Sequence, residues 1–241
     1  LKILAIDTTS GACSAALYAD GRICEQFFRA ERDHTRRLLP MVEAVLAEGQ
    51  SSLTQVDALA VSQGPGSFTG LRIAISCVQG LAFAADKPVV PVSSLAALSR
   101  GARRSHPDWG DAPVLAALDA RMQEVYWGLY PPGEGANALL ADAVSTPEQV
   151  VSSLKSAGFL TADTASTNCS LYAVGPGWEY PALAALKPLA VSTESAIHAQ
   201  DIAVLAAELW QRGIQVSAEE LEPAYLRNEV TWKKRARIRQ R

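Results

Sequence analysis

Histidine is scarce in this 241-residue chain: His34, His106 and His198 lie far apart, and none falls in an HxxxH or HExxH frame. A metal centre therefore has no visible ligand set, because such sites need donors at helical spacing on one face. The four cysteines, Cys13, Cys24, Cys77 and Cys169, show no CxxC pairing and sit in apolar stretches, which points to buried free thiols rather than bridges or zinc ligands. No apolar run approaches the roughly 18 residues that span a bilayer, and the opening LKILAIDTTSG places an aspartate where a signal peptide would stay apolar. A cytoplasmic protein without a membrane partner is expected.

What the chain does have is material for a core. Hydrophobic residues make up 49% and charged residues 20%, the balance of a folded protein. Its length suits two modest lobes. Net charge is −3, yet the last nine residues, KKRARIRQR, hold six of the 22 basic groups, so the remainder stands at −9. A short basic end with no aromatic residue inside it reads as a solvated terminus; the alternative is an arm that touches RNA phosphates.

Residues 2–31 read as three strands, KILAIDTT, CSAALYAD and RICEQFFRAE, with Asp20-Gly21 as the tight turn between the last two. DHTRRLLPMVEAVLAEG reads as an amphipathic helix with Leu38, Val42, Val45 and Leu46 on one face. Gly49 stops it, and Pro40 either kinks it or opens its regular part. DALAVSQ (57–63) is apolar enough for a strand covered on both faces, FTGLRIAISCVQGLAFAA follows as a helix, PVVPV as a fifth strand and SSLAALSRGA as another helix. This order is that of an RNase H-like fold.

The second half repeats it in worn form. PVLAALDARMQEVYWGLYPPG gives two strands about a turn at Asp119. STPEQVVSSLKSAG gives a helix with Thr146 as N-cap, Pro147 at its first position, Gln149 closing a capping box and Gly158 as stop. LYAVGPG gives a strand and loop. Fifty-seven residues separate Asp7 from Gly64 and 56 separate Asp119 from Gly175, which argues for an internal duplication. The expected architecture is α/β, two RNase H-like lobes facing each other as in the actin-like ATPases (ASKHA proteins). Residues 1–103 would form the N-terminal lobe and 104–241 a degenerate C-terminal lobe with the basic tail. The helix SAIHAQDIAVLAAELWQRG does not name the lobe it packs on.

In that architecture nucleotide sits between the lobes, gripped by two phosphate hairpins. Asp7 with Thr8, Thr9 and Ser10 would be the first, its carboxylate holding Mg²⁺ through water and its hydroxyls meeting phosphate oxygens. SQGPGSFTGLRI (62–73) supplies Gly64 and Gly66, but Gly70 is followed by Leu71, so this is not a lysine-bearing P-loop. Its amides at a helix N-terminus suit a phosphate; its glycines equally suit a tight strand-to-helix turn capped by Ser67. The second hairpin reads Asp119-Ala120-Arg121-Met122, whose side chains would crowd phosphates, leaving Arg121 to meet one from the side. A tight independent ATP site is not expected.

ILAIDTT, HTRRLLP, DALAVSQGPGSFTGLRI, PVVPVSSL, LDARMQEVYWGLY and EPAYLR resemble the TsaB (YeaZ) family, across most of the chain and most densely in residues 1–130. The resemblance implies an actin-like pseudoenzyme in bacterial tRNA threonylcarbamoyladenosine synthesis. There TsaC makes threonylcarbamoyl-AMP, TsaD transfers the group to the adenosine beside the anticodon, and the ATPase TsaE resets the complex. It further implies TsaD and TsaE as partners, a homodimer when alone, tRNA met through the complex, and no intrinsic cofactor beyond weak Mg-ATP or Mg-ADP at the junction with TsaD. The catalytic relative carries HxxxH after the fifth strand of its first lobe. Here Ser94 and Leu98 stand at those places, which argues against a metallopeptidase; an independent actin-like ATPase or sugar-type kinase is the remaining alternative.

The helix after the glycine loop carries the interface expectation. At 100° per residue Leu71, Ala74, Ile75, Val78, Ala82 and Ala85 share the face that covers the sheet. The opposite face, Ile73, Ser76, Cys77, Gly80, Phe83 and Ala84, is apolar too, and a lone domain does not normally expose such a face to water. With Leu38 and Val42 of the preceding helix as neighbours, it is expected to meet TsaD or a second copy.

Overall fold

The computed structural model describes residues 1–29, 33–133, 135–160 and 169–227; the basic run 233–241 lies outside them. The first lobe begins with the expected meander of β1 (Lys2–Asp7), β2 (Ala12–Ala19) and β3 (Arg22–Arg29). It continues through α1 (His34–Glu48), β4 (Ala58–Gly64), α2 (Phe68–Ala85), β5 (Val89–Ser93) and α3 (Ser94–Ser105). The strands lie in the order β3-β2-β1-β4-β5, antiparallel on the β3 side and parallel from β1 to β5. β1 and β4 are buried on both faces, which is why they read as continuous apolar runs. Asp20 and Gly21 take left-handed φ values of 48° and 84°, matching the twist of the hairpin they join. Pro40 lies inside α1 rather than at its start.

The second lobe comprises β6 (Val114–Asp119), β7 (Val125–Tyr130), β8 (Leu140–Ser145), α4 (Pro147–Ser156), β9 (Tyr172–Val174), α5 (Pro181–Ala184) and β10 (Val191–Ser192). Its order, β10-β9-β6-β7-β8, is the first lobe's winding with β6 as the opening strand, so both lobes are RNase H-like. The capping box forms as the sequence predicts: the Gln149 N–H donates to Thr146 Oγ1 at 3.4 Å and the Thr146 N–H to Gln149 Oε1 at 3.0 Å.

The last helix, α6 (Ala199–Gln211), follows the second sheet in sequence yet packs on the first. Its stripe of Ile202, Ala203, Leu205 and Ala206 fills the inner face over β1 and β2, while Ser14 Oγ accepts the Ala199 N–H at 3.0 Å. The segment beyond stays there: Val216 bridges Val89 of β5, and Leu221 joins the outer core. Lobe membership after Ser192 thus departs from a simple division of the chain at residue 104. Together α1 and α2 cover the outer face of the first sheet, α3 and α6 fill the space between the sheets, and α4 and α5 cover the outer face of the second.

One expectation needs correcting. α2 is 18 residues long with mean hydropathy 1.4, long and apolar enough by composition to cross a membrane. The reason is that both its faces are apolar, and only one packs on the sheet.

Candidate functional site

Asp7 closes β1 and is wholly buried. Its Oδ1 accepts the Thr9 hydroxyl at 2.6 Å and the Ser62 hydroxyl at 2.5 Å, and its Oδ2 accepts the Thr9 N–H at 3.1 Å. Burial pushes its pKa up to about 6, against the pull of these donors. The carboxylate ties the end of β1 to β4.

The glycine loop lies directly on the following turn. The Thr8 hydroxyl donates to the Gly70 carbonyl at 2.6 Å, and the Ser67 N–H donates to the Thr9 carbonyl at 2.9 Å. A Cβ on Gly70 would stand 1.9 Å from the Thr8 carbonyl oxygen, and one on Gly66 2.9 Å from that of Thr9. Close approach of backbone to backbone is what these glycines permit. Gly64, at φ 115°, has the Ala224 carbonyl 3.1 Å from where its Cβ would be. Ser67 caps α2 as expected, accepting the Gly70 N–H at 3.3 Å.

Between the lobes runs a cleft of about 770 Å³. Of the sequence-predicted nucleotide residues Thr9, Ser10, Gly66 and Arg121 border it, whereas Asp7, Thr8 and Gly64 do not. Ser10 is occupied in part, its hydroxyl accepting the Ile197 N–H at 3.1 Å. On the far wall Arg121, Met122 and Gln123 take φ values of 61°, 55° and 65°, a left-handed run that costs non-glycine residues roughly 1 kcal/mol each. Asp119 anchors it, accepting the Arg121 N–H at 2.8 Å and the Tyr180 hydroxyl at 2.9 Å. The Arg121 guanidinium pairs with Asp119 at 3.1 Å and is 87% exposed.

The interface residues divide. Leu71, Ala74, Ile75, Val78 and Ala82 are buried on the sheet; Ser76, Gly80, Phe83 and Ala84 are exposed, and Ile73 and Cys77 are half-buried. Val42 belongs to the core beneath α1 instead of its surface, because the apolar stripe of α1 is the one that faces the sheet, and Leu38 is buried in the same core while bordering the groove toward α2. Leu39, half-exposed, is the apolar residue that α1 presents. A groove of about 810 Å³ lies between the helices, lined by Leu38, Leu39, Phe68, Ile73, Cys77 and Gly80 among others. Phe68 was not legible as a site residue: it opens α2 exposed, with the Arg72 guanidinium 3.9 Å over its ring. An aromatic residue directly after a helix cap was the available signal.

Ser94 and Leu98 open α3 and are buried in the core between the sheets. The histidines stay apart: His34 borders the cleft, His106 stacks on Trp109, and His198 stacks on Phe27 and pairs with Glu25 at 3.0 Å.

Two lobes of one RNase H-like winding, inner faces toward each other and a cleft between them, define an actin-like protein of the ASKHA class. Comparison with known proteins narrows this. Residues 28–234 match the family model of TsaD: tRNA N6-adenosine threonylcarbamoyltransferase. The chain is 40% identical over 239 residues to the tRNA threonylcarbamoyladenosine biosynthesis protein TsaB of Escherichia coli (strain K12), covering 97% of this chain and 98% of that one. It is 38% identical to the protein of the same name from Haemophilus influenzae, covering 97% of each. The solved structure of YeaZ from Pseudomonas aeruginosa matches with a TM-score of 0.78 and 41% identity, over 93% of this chain and 99% of that one. The chain belongs to the TsaB (YeaZ) family.

Proposed function

We propose that the chain is a non-catalytic subunit in the formation of threonylcarbamoyladenosine in tRNA, in the cytoplasm, and that it supports TsaD by pairing with it through α2 and α1. The names of its relatives support the pathway. The observation that carries the pairing is the outer face of α2, where Gly80, Phe83 and Ala84 stand exposed beside half-buried Ile73 and Cys77. Small residues at its centre let another helix approach closely, and Leu39 and Phe68 extend the apolar strip. Two helices from each subunit would form a four-helix contact, with TsaD or, in its absence, with a second copy. TsaE joins the assembled pair, and tRNA reaches it there.

The rival reading, an independent ATPase or kinase, draws on the interlobe cleft. Against it, the Asp7 carboxylate is taken up by Thr9 and Ser62, and the loop backbone fills the space beside Thr8. Mg-ATP or Mg-ADP is proposed to bind only weakly, at the junction with TsaD. The test is nucleoside mass spectrometry on bulk tRNA from a strain depleted of this protein. Threonylcarbamoyladenosine should fall to background while synthesis of the adenylated intermediate continues. Normal modification, with no compensating paralogue, would contradict the proposal.

A further inference from the structure

After α6 the chain returns along the first lobe before it crosses to the second. The Val216 N–H donates to the Val89 carbonyl at 2.9 Å and the Val89 N–H to the Val216 carbonyl at 2.8 Å, a short antiparallel bridge on the outer edge of β5. Ala218 and Leu221 join the outer core, and the Gln79 side-chain amide donates to the Leu221 carbonyl at 3.0 Å. The Ala224 N–H donates to the Gln63 carbonyl at 2.7 Å. Residues 216–227 are thus a strap tied to β5, α2 and β4 in turn.

The strap ends on the other lobe. Arg227 borders the cleft and pairs with Glu124, the residue before β7, with side chains 18% and 32% exposed. The far end of β7 is fastened differently: the Tyr130 hydroxyl donates to Asp142 Oδ1 at 2.5 Å, and Ser93, which caps α3 at the end of β5, donates to Asp142 Oδ2 at 2.5 Å. Tyr130 is buried there. Six residues of strand span about 20 Å, so β7 is held to the first lobe by a hydrogen-bond cluster at one end and by an ion pair open to water at the other. Such a pair contributes little, whereas buried hydrogen bonds are costly to leave unmade. The Glu124 end is the one that opens.

The strap also meets the pairing face. Tyr225 is exposed, and its ring lies 6.3 Å from that of Phe68, which borders both the groove between α1 and α2 and the cleft. A pocket of about 170 Å³ lined by Phe68, Tyr126, Tyr225 and Arg227 joins the two regions. A partner seated in the groove reaches Phe68 and, beside it, Tyr225. Contacts to Tyr225 exist only while the strap is in place, and that difference is what can shift the equilibrium between open and closed.

Resting on the reading that α2 pairs with TsaD, we propose that the strap 216–227 is a latch on the interlobe cleft and that pairing sets it. A partner over Phe68 and Tyr225 holds Arg227 on Glu124; the unpaired chain opens at that pair. The control runs both ways, since a closed latch favours pairing by the same factor.

Hydrogen exchange followed by mass spectrometry on the full chain tests it, read at the amides of Val216 and Ala224. Release of Arg227 lets the strap fray back to Ala224, so Glu124→Gln should speed exchange there by about two- to fivefold, the range an exposed ion pair supplies. Val216, anchored to β5 alone, should keep its rate. Raising salt should speed Ala224 exchange in wild type and not in Glu124→Gln. Adding TsaD should slow it in wild type by about fivefold or more. An unchanged Ala224 rate in Glu124→Gln, equal acceleration at Val216, or an Ala224 rate that stays the same in a chain co-eluting with TsaD would overturn the proposal. A chain that never co-elutes with TsaD would overturn the pairing reading and with it the control by TsaD, while the latch stands or falls on Glu124→Gln in the isolated chain.

Discussion

Thr8 and Gly70 hold each other across 62 residues of sequence: the threonine hydroxyl donates to the glycine carbonyl at 2.6 Å, and a Cβ on Gly70 would lie 1.9 Å from the threonine carbonyl oxygen. Because that obstacle is backbone it cannot swing aside. Gly70→Ala should therefore destabilise the protein by about 3 kcal/mol, the upper part of the range for forcing extra volume into a packed place. Gly80→Ala is the same chemical change on the same helix, but a Cβ there meets nothing within 4 Å. It should leave stability unchanged or raise it by up to about 1 kcal/mol through helix propensity. Denaturant unfolding of both variants checks this, and equal costs would contradict it.

Asp7 should make the protein more stable in mild acid. Its pKa rises from 3.8 unfolded to about 6 folded, so between those values the folded state holds the proton more tightly and stability falls as pH rises. The loss should reach about 3 kcal/mol by pH 7. Asp142 and Asp201 are shifted upward by burial as well, so the informative quantity is the difference from Asp7→Asn. Unfolding free energies at pH 4.5 and 7 should differ less in the variant. An identical pH dependence would show that Asp7 is not the group responsible.

Isolated chain titrated calorimetrically with Mg-ATP should show no submicromolar binding and no turnover. The expectation follows from Asp7 being enclosed by Thr9 and Ser62 and from the glycine loop lying on the Thr8–Thr9 turn. Tight binding with hydrolysis would restore the ATPase reading.

Much of this architecture was legible because local chemistry and global fold agree. The apolar runs of β1 and β4, the Asp20-Gly21 turn and the Thr146–Gln149 capping box each name their element. β8 was missed because LADAVS is alanine-rich and only half-buried, so it carries little strand signal, and β10 is two residues long. The docking of α6 was illegible since an apolar stripe fits either sheet. Asp7 shows the limit for sites: a strand-end aspartate reads the same whether it faces a cleft or bonds to Thr9 and Ser62. Leu38 and Val42 show it for surfaces, since the stripe that identifies an amphipathic helix is the one it hides.

The most direct test of the account is size-exclusion chromatography with light scattering on this chain and TsaD from the same organism, with wild type and Gly80→Arg compared. Open space at Gly80 lets the arginine side chain start without touching the core, so the variant should melt at or slightly above the wild-type temperature. At the centre of a helix contact the same arginine would be a bulky, unpaired charge costing about 3 kcal/mol or more. Wild type should co-elute with TsaD and Gly80→Arg should elute alone; a folded Gly80→Arg chain that binds TsaD with wild-type affinity would contradict the assignment of α2 as the pairing surface.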